Sequence, residues 1–210
     1  ATDFKRVAMN KTLIILLHGV GSRGEDLQGL GHFWRQNLPE VMVATPDGPD
    51  AFDMGPGYQW FSVNGISEAS RAERIASARG AFNRTLEEVM DKHHISPDED
   101  RLILAGFSQG AIMSLDALVS GHLPLAAVIS FSGRLASPQP WQPVYGTPAL
   151  LVHGSNDPVI SQTESVNAAH KLAALGVDVD TYFEPGVGHT ITTNGAMKAA
   201  HFLTPLLQAE

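Results

Sequence analysis

Residues 102–118, Leu-Ile-Leu-Ala-Gly-Phe-Ser-Gln-Gly-Ala-Ile-Met-Ser-Leu-Asp-Ala-Leu, hold an apolar run, a glycine-rich turn and a second apolar segment in direct succession. Leu102 to Ala105 reads as a buried strand, and residues 109–120 read as a helix. Between them Gly106-Phe-Ser108-Gln-Gly110 fits G-x-S-x-G. The bare pattern recurs by chance, and a strand before it with a helix after it is the context it requires. The glycines have a steric task. The turn is so tight that side chains two before and two after the serine would collide with neighbouring backbone. Ser108 is expected in a strained conformation that lifts its hydroxyl clear of the sheet. It also stands at a helix N-terminus, whose unpaired N–H groups favour developing negative charge. The plainer alternative is a glycine-rich turn with an incidental serine.

Further apolar runs flank this segment. Leu13 to Leu17, Val41 to Thr45, Ala126 to Ser130, Ala149 to His153 and Val177 to Phe183 read as strands, the most apolar of them buried on both faces. Residues 68–92, 161–175 and 194–208 read as helices, with Gly176 a C-cap and Asn194 an N-cap. Such alternation predicts an α/β fold, a mostly parallel central sheet with helices on both faces, in one domain spanning 1–210. Two stretches break the pattern, Pro46 to Ile66 and Gly133 to Gly146, and both read as surface loops. Loops at the carboxyl ends of parallel strands build the site in such sheets.

Composition narrows the function. The 210 residues are 43% hydrophobic and 17% charged, an ordinary globular balance. A net charge of −8 argues against a nucleic-acid partner, which calls for a basic face. There is no cysteine, so disulfides, thiolate metal sites and a cysteine nucleophile are excluded. No apolar stretch reaches the ~18 residues of a membrane span, so stable membrane insertion is not expected. The start lacks the apolar core of a signal peptide, and the expected compartment is the cytoplasm. It also lacks an initiator Met, which leaves a periplasmic origin open.

A serine hydroxyl is a poor nucleophile until a base takes its proton, and the base needs an orienting carboxylate. Where the nucleophile sits in this motif, the acid and then the histidine follow it in the chain. Three histidines lie beyond the run Ala149 to His153. His170 and His201 fall inside helix candidates and read as surface or packing residues. His189 lies in the loop Glu184-Pro-Gly-Val-Gly-His189, over the carboxyl edge of the sheet, and is the expected base. Among acids, Asp116 falls in the helix behind the serine, and Asp178 and Asp180 fall in a strand. Asp157 follows a strand in the loop Gly154-Ser-Asn-Asp157-Pro and is the expected acid. Alone it would read as the start of a turn.

Acyl transfer passes through an oxyanion that needs fixed N–H donors. One is the backbone N–H of Gln109, directly after the serine. The other falls to Val20 in His18-Gly-Val-Gly21, after the first strand; that stretch also reads as a glycine turn ending a strand. His18 reads as structural, holding the loop by hydrogen bonds. No metal or cofactor is called for.

Five blocks carry a resemblance: Leu17-His-Gly-Val-Gly21, Tyr58-Gln-Trp-Phe-Ser62, Gly106-Phe-Ser-Gln-Gly-Ala-Ile-Met113, Val152-His-Gly-Ser-Asn-Asp-Pro-Val159 and Gly188-His189. In this order they resemble the phospholipase/carboxylesterase family, small α/β-hydrolases that include bacterial carboxylesterases and acyl-protein thioesterases. The resemblance implies a triad of Ser108, Asp157 and His189 and oxyanion donors at Val20 and Gln109. It implies that Trp60 and Phe61 line the acyl side of the cleft; packing on the core is the alternative for this pair. Ser22, where the thioesterase branch often has an acidic residue, and Ala111, where it usually has glycine, lean toward the bacterial carboxylesterases. The expected activity is hydrolysis of short- to medium-chain carboxylic esters in a minimal fold without a lid domain. Lysophospholipase or acyl-protein thioesterase activity is the near alternative, and a catalytically silent binding protein the distant one. The expected partner is a small-molecule ester, and exposed apolar surface near the cleft would serve substrate or a homodimer.

Overall fold

A computed structural model describes residues 10–208. Its centre is a sheet of six parallel strands, β1 (Thr12–Leu17), β2 (Val41–Ala44), β5 (Arg101–Phe107), β6 (Ala127–Phe131), β7 (Ala149–Gly154) and β8 (Val179–Glu184). They lie in the order β2-β1-β5-β6-β7-β8, and every pairing is parallel. All six expected strands are present, displaced by no more than two or three residues at their ends.

Helices cover both faces, α1 (Gln28–Asn37) and α5 (Thr193–Gln208) on one, α2 (Glu68–Lys92), α3 (Gln109–Ser120) and α4 (Gln162–Ala174) on the other. The strand side chains divide accordingly. Leu13, Ile15 and Leu17 of β1 join Ile75, Phe82, Leu115 and Leu172, while Ile14 and Leu16 join Trp34, Ala199 and Leu203. A strand buried on both sides needs apolar residues at successive positions, which is why β1 reads as one unbroken run. Each fully buried Leu or Ile contributes roughly 1.5–3 kcal/mol.

Helix α1 has no counterpart in the sequence reading. Gly29 and Gly31 weaken its helical signal, and tertiary contacts decide the matter. A Cβ on Gly31 would stand 2.7 Å from Val43 Cγ1, so the glycine lets α1 settle on β2. Trp34 anchors the helix, fully buried, its indole N–H donating to the Ala196 carbonyl at 3.0 Å. The cap of α5 also differs from expectation. Asn194 is inside the helix, and Thr192 Oγ1 accepts from the Gly195 N–H at 2.9 Å instead. The C-cap of α4 is Leu175, one residue before the expected Gly176, which follows it at a positive φ of 88°. Within the loop from Pro46 to Ile66 a two-residue antiparallel pair forms, β3 (Asp50–Ala51) with β4 (Tyr58–Gln59).

The chain runs from β1 outward to β2, then crosses through α2 to β5 on the other side of β1. The carboxyl ends of β1 and β5 therefore flank the topological switch point, where parallel sheets open a crevice. One ion pair holds the crossover helix in place. Arg79 of α2 donates from Nε and Nη2 to the two oxygens of Asp116 on α3, at 2.9 and 2.7 Å. Asp116 is 1% exposed, which explains an acid in an otherwise apolar helix. Replacing Arg79 by leucine is expected to destabilise the protein by about 3 kcal/mol, because it strands a buried carboxylate. The double variant Arg79→Leu/Asp116→Leu should recover most of that loss, as read from urea unfolding midpoints.

Candidate active site

Ser108 occupies the turn between β5 and α3 at φ 57° and ψ −116°, a region that costs an L-residue about 1–3 kcal/mol. Its surroundings impose that conformation. A Cβ on Gly106 would lie 2.2 Å from the carbonyl of Gly110, and one on Gly110 would lie 2.0 Å from the Leu17 carbonyl oxygen. The Ser108 N–H donates to the Phe131 carbonyl of β6 at 2.9 Å. The hydroxyl is thereby carried above the sheet, on a residue 8% exposed.

His189 and Asp157 arrive on two loops laced together beyond β7 and β8. Ser155 and Asn156 donate their N–H groups to the carbonyls of Glu184 and Val187, both at 2.9 Å, and Ser155 Oγ accepts from Gly186 N–H at 2.7 Å. His189 Nδ1–H then donates to Asp157 Oδ2 at 2.7 Å, and Ser108 Oγ–H donates to His189 Nε2 at 3.0 Å. The ring rests against Phe107, centroids 4.8 Å apart. His170 and His201 are exposed on their helices, as expected. Asp178 and Asp180 are exposed, the latter near Lys198.

Asp157 is a carboxylate under two opposed influences. Burial would raise its pKa, but hydrogen bonds from His189 and from the Ile160 and Val159 N–H groups outweigh that and hold it below the usual value. Those amides donate to Oδ1 at 2.9 and 2.8 Å, leaving Oδ2 for the imidazole. A second imidazole, which the sequence reading left without a role, reaches Oδ2 as well. His153 at the end of β7 is fully buried; its Nε2–H donates to the Ile160 carbonyl at 2.7 Å and stands 3.3 Å from Asp157 Oδ2. Its Nδ1 accepts from Ser165 Oγ at 2.6 Å. The four-residue spacing of His153 and Asp157 across a strand end was the only signal in the sequence.

The Gln109 N–H is the first of α3 and has no intrahelical acceptor. Val20 sits across from it after β1, and among the described residues no hydrogen bond uses its N–H. This loop is held as expected of His18. Gly48 N–H donates to His18 Nε2 at 2.8 Å, which leaves the ring proton on Nδ1, donated to the Gly19 carbonyl at 2.6 Å. Burial lowers the pKa of His18 and keeps it neutral for that role.

Trp60 and Phe61 are 2% and 5% exposed and pack in the core, and the little surface they keep belongs to the wall of a cavity of about 580 Å³ beside Ser62 and Arg74. They act as a staple. Trp60 Nε1–H donates to the His18 carbonyl at 2.9 Å, and the Gln109 side chain accepts from Trp60 N–H and donates to the Phe61 carbonyl, both at 2.7 Å.

The space at the candidate triad is a cavity of about 340 Å³ that includes Gly19, Leu27, Phe107, His189 and Ile191 in its walls. A second, of about 310 Å³, continues it between Leu30, Phe33 and Ile191. Another cavity, of about 470 Å³ beside Tyr145 and Leu175, shares no residue with the triad. Among the described residues no group of three or more His, Cys, Asp or Glu could hold a metal ion.

The profile described as Phospholipase/Carboxylesterase matches residues 5–207. The chain belongs to this family. Esterase YpfH of Escherichia coli strain K12 is 33% identical over 179 residues, 85% of this chain and 76% of that protein. Acyl-protein thioesterase 1 of Neurospora crassa is 26% identical over 96% of this chain and 89% of its own length. The crystal structure of esterase PE8 superposes with a TM-score of 0.84 at 35% identity, covering 92% of each chain. The Bacillus cereus carboxylesterase, at 22% identity and a TM-score of 0.75, shares the fold.

This member of the phospholipase/carboxylesterase family is thus a serine hydrolase with the α/β-hydrolase fold. Ser22, at the position where the thioesterase branch often has an acid, donates its hydroxyl to Asp26. Ala111, at the position often held by glycine, is fully buried. Among the described residues no helix is long and apolar enough to cross a membrane.

The His18 linkage has a definite sign. Above pH ~6.5, the usual value of a free imidazole, His18 is neutral folded or unfolded. Below it the unfolded chain binds a proton that the buried ring resists, so stability falls as pH drops from about 7 toward 5. His18→Asn is expected to lower stability by about 1–3 kcal/mol at pH 7 and to flatten part of that acid decline. Urea midpoints measured at both pH values check this.

Proposed function

We propose that the protein is a serine carboxylesterase that hydrolyses short- to medium-chain carboxylic esters through Ser108, His189 and Asp157. The observation that carries this reading is the single imidazole bridging a strained, helix-capping serine and a buried carboxylate, at 3.0 and 2.7 Å. A neutral His189 with its proton on Nδ1 presents a bare Nε2 to the Ser108 hydroxyl. As Ser108 Oγ bonds to the acyl carbon, its proton passes to Nε2, and Asp157 stabilises the imidazolium that forms. The carbonyl oxygen becomes an oxyanion between the N–H groups of Val20 and Gln109.

Collapse of that intermediate breaks the bond to the alkoxy oxygen, which takes the proton from Nε2 and departs as the alcohol. Water then gives a proton to His189, attacks the acyl-serine, and frees the acid and the Ser108 hydroxyl by the same steps. Apart from the ester and water, every group on this path is a side chain or backbone amide of the chain. Among the described residues no helical domain lies over the site, which supports short or medium acyl chains as substrates.

Relatives carry both esterase and thioesterase names. Assay of p-nitrophenyl esters, lysolipids and acyl-thioesters side by side ranks these substrates, and the short esters should be cleaved fastest. Greater speed on long-chain triglycerides would overturn the chain-length reading. A fluorophosphonate probe is expected to label the wild type and not Ser108→Ala; an unlabelled wild type would leave a binding protein. Ser108→Ala and His189→Ala should each lower kcat by about 10⁴–10⁶, and Asp157→Asn by about 10⁴.

A further inference from the structure

Four buried side-chain polar atoms among the described residues make no hydrogen bond: Ser130 Oγ, Arg134 Nε, Ser137 Oγ and Gln162 Oε1. Buried polar groups are nearly always partnered, so each exception asks for a reason. These four are not scattered. Ser130 is the last residue but one of β6, Arg134 and Ser137 follow in the loop beyond it, and Gln162 opens α4. Ser130 and Ser137 are 0% and 6% exposed.

We propose that Arg134, together with Arg71, forms an anion-binding subsite beside Ser108 that takes the terminal carboxylate of an ω-carboxyacyl ester. The proposal rests on the esterase reading above and names the substrate class for that site.

The position of Arg71 follows from the helices. Both α2 and α3 start at the carboxyl edge of the sheet. Arg79 meets Asp116 across them; Arg71 precedes Arg79 by eight residues, and Ser108 precedes Asp116 by eight. At ~1.5 Å per residue, Arg71 stands level with the serine. It also heads the buried stripe of α2, one turn above Ile75, a position otherwise apolar in that helix.

Arg134 comes three residues after Phe131, whose carbonyl receives the Ser108 N–H, so it is anchored at the same edge. The two guanidinium groups feel each other. Burial and then the charge of Arg134 lower the pKa of Arg71, with Glu164 and Glu68 acting in the opposite sense.

Arg71 and Arg134 are half-buried, and a guanidinium drawn partly out of water normally finds a carboxylate, as Arg79 does. Among the described residues no acidic side chain lies in ion-pair contact with Arg71 or Arg134. Two like charges held close, one with an unused buried donor, suit a ligand carboxylate that can accept from both planes.

The side of the cleft identifies which part of the ester bears the charge. The leaving oxygen must face His189, and His189 lies on Phe107, against the layer of α1 and α5. The acyl chain therefore extends the other way, over α3 toward α2 and α4, where the arginines stand.

The test compares mono-p-nitrophenyl glutarate with p-nitrophenyl pentanoate, acyl groups of equal length with and without the carboxylate. The wild type is expected to favour the glutarate ester in kcat/KM, and added salt should weaken that preference. Arg134→Gln and Arg71→Gln should each lower the ratio of the two values by about tenfold or more, the scale of one charge-assisted hydrogen bond. A wild type without preference for the charged ester, or a ratio unchanged in both variants, would overturn the subsite. If neither ester is cleaved, the esterase reading falls by itself. The subsite is then decided by glutarate binding: it stands if glutarate raises the Tm of the wild type more than that of Arg134→Gln, and falls if the two shifts are equal.

Discussion

Gly106 lies so close to the Gly110 carbonyl, and Gly110 so close to the Leu17 carbonyl, that neither has room for a Cβ, and the whole site hangs from those two contacts. They permit β5 to turn into α3 within a few residues. The turn in turn forces Ser108 to a positive φ, points its N–H at β6 and frees the first N–H of α3. Gly110 also presses on the carbonyls of Leu17 and His18, which fixes the loop after β1 relative to the serine. The candidate nucleophile and both candidate oxyanion donors are thus set by steric contacts between backbones.

Much of this was legible in the sequence, for reasons that are local. Central parallel strands are apolar at every position, so β1, β5, β6 and β7 announce themselves without any alternation. A tight turn demands glycine at set offsets, and the candidate base sits on a loop with glycine around it, so Ser108 and His189 could be singled out from short motifs. Asp157 needed only the order of the other two.

What was hidden depended on distant partners. Helix α1 contains two glycines and exists because Trp34 finds the Ala196 carbonyl and Gly31 finds β2. Trp60 and Phe61 carried an aromatic signal consistent with a cleft wall, yet Trp60 spends its indole N–H on the His18 carbonyl and both rings go inside. Asp116 looked like a surplus acid until Arg79, far back in the chain, came to face it. His153 read as the end of a strand, and only the folded loop shows it touching the same carboxylate oxygen as His189. Side chains whose purpose is to hold another element leave no periodicity behind.

The Gln109 side chain binds the backbone at both Trp60 and Phe61, while its own amide is a candidate oxyanion donor. Loop and catalytic cradle are therefore one mechanical part. In a protein-engineering setting, the segment from Pro46 to Ile66 does not behave as an interchangeable cassette. Grafting a relative's loop to widen the entrance would carry with it the setting of the candidate oxyanion amides, so selectivity and turnover in this scaffold would shift together. Freedom to diversify the entrance lies instead along the outer turns of α1 and the start of α5, which border the cavity without touching that cradle.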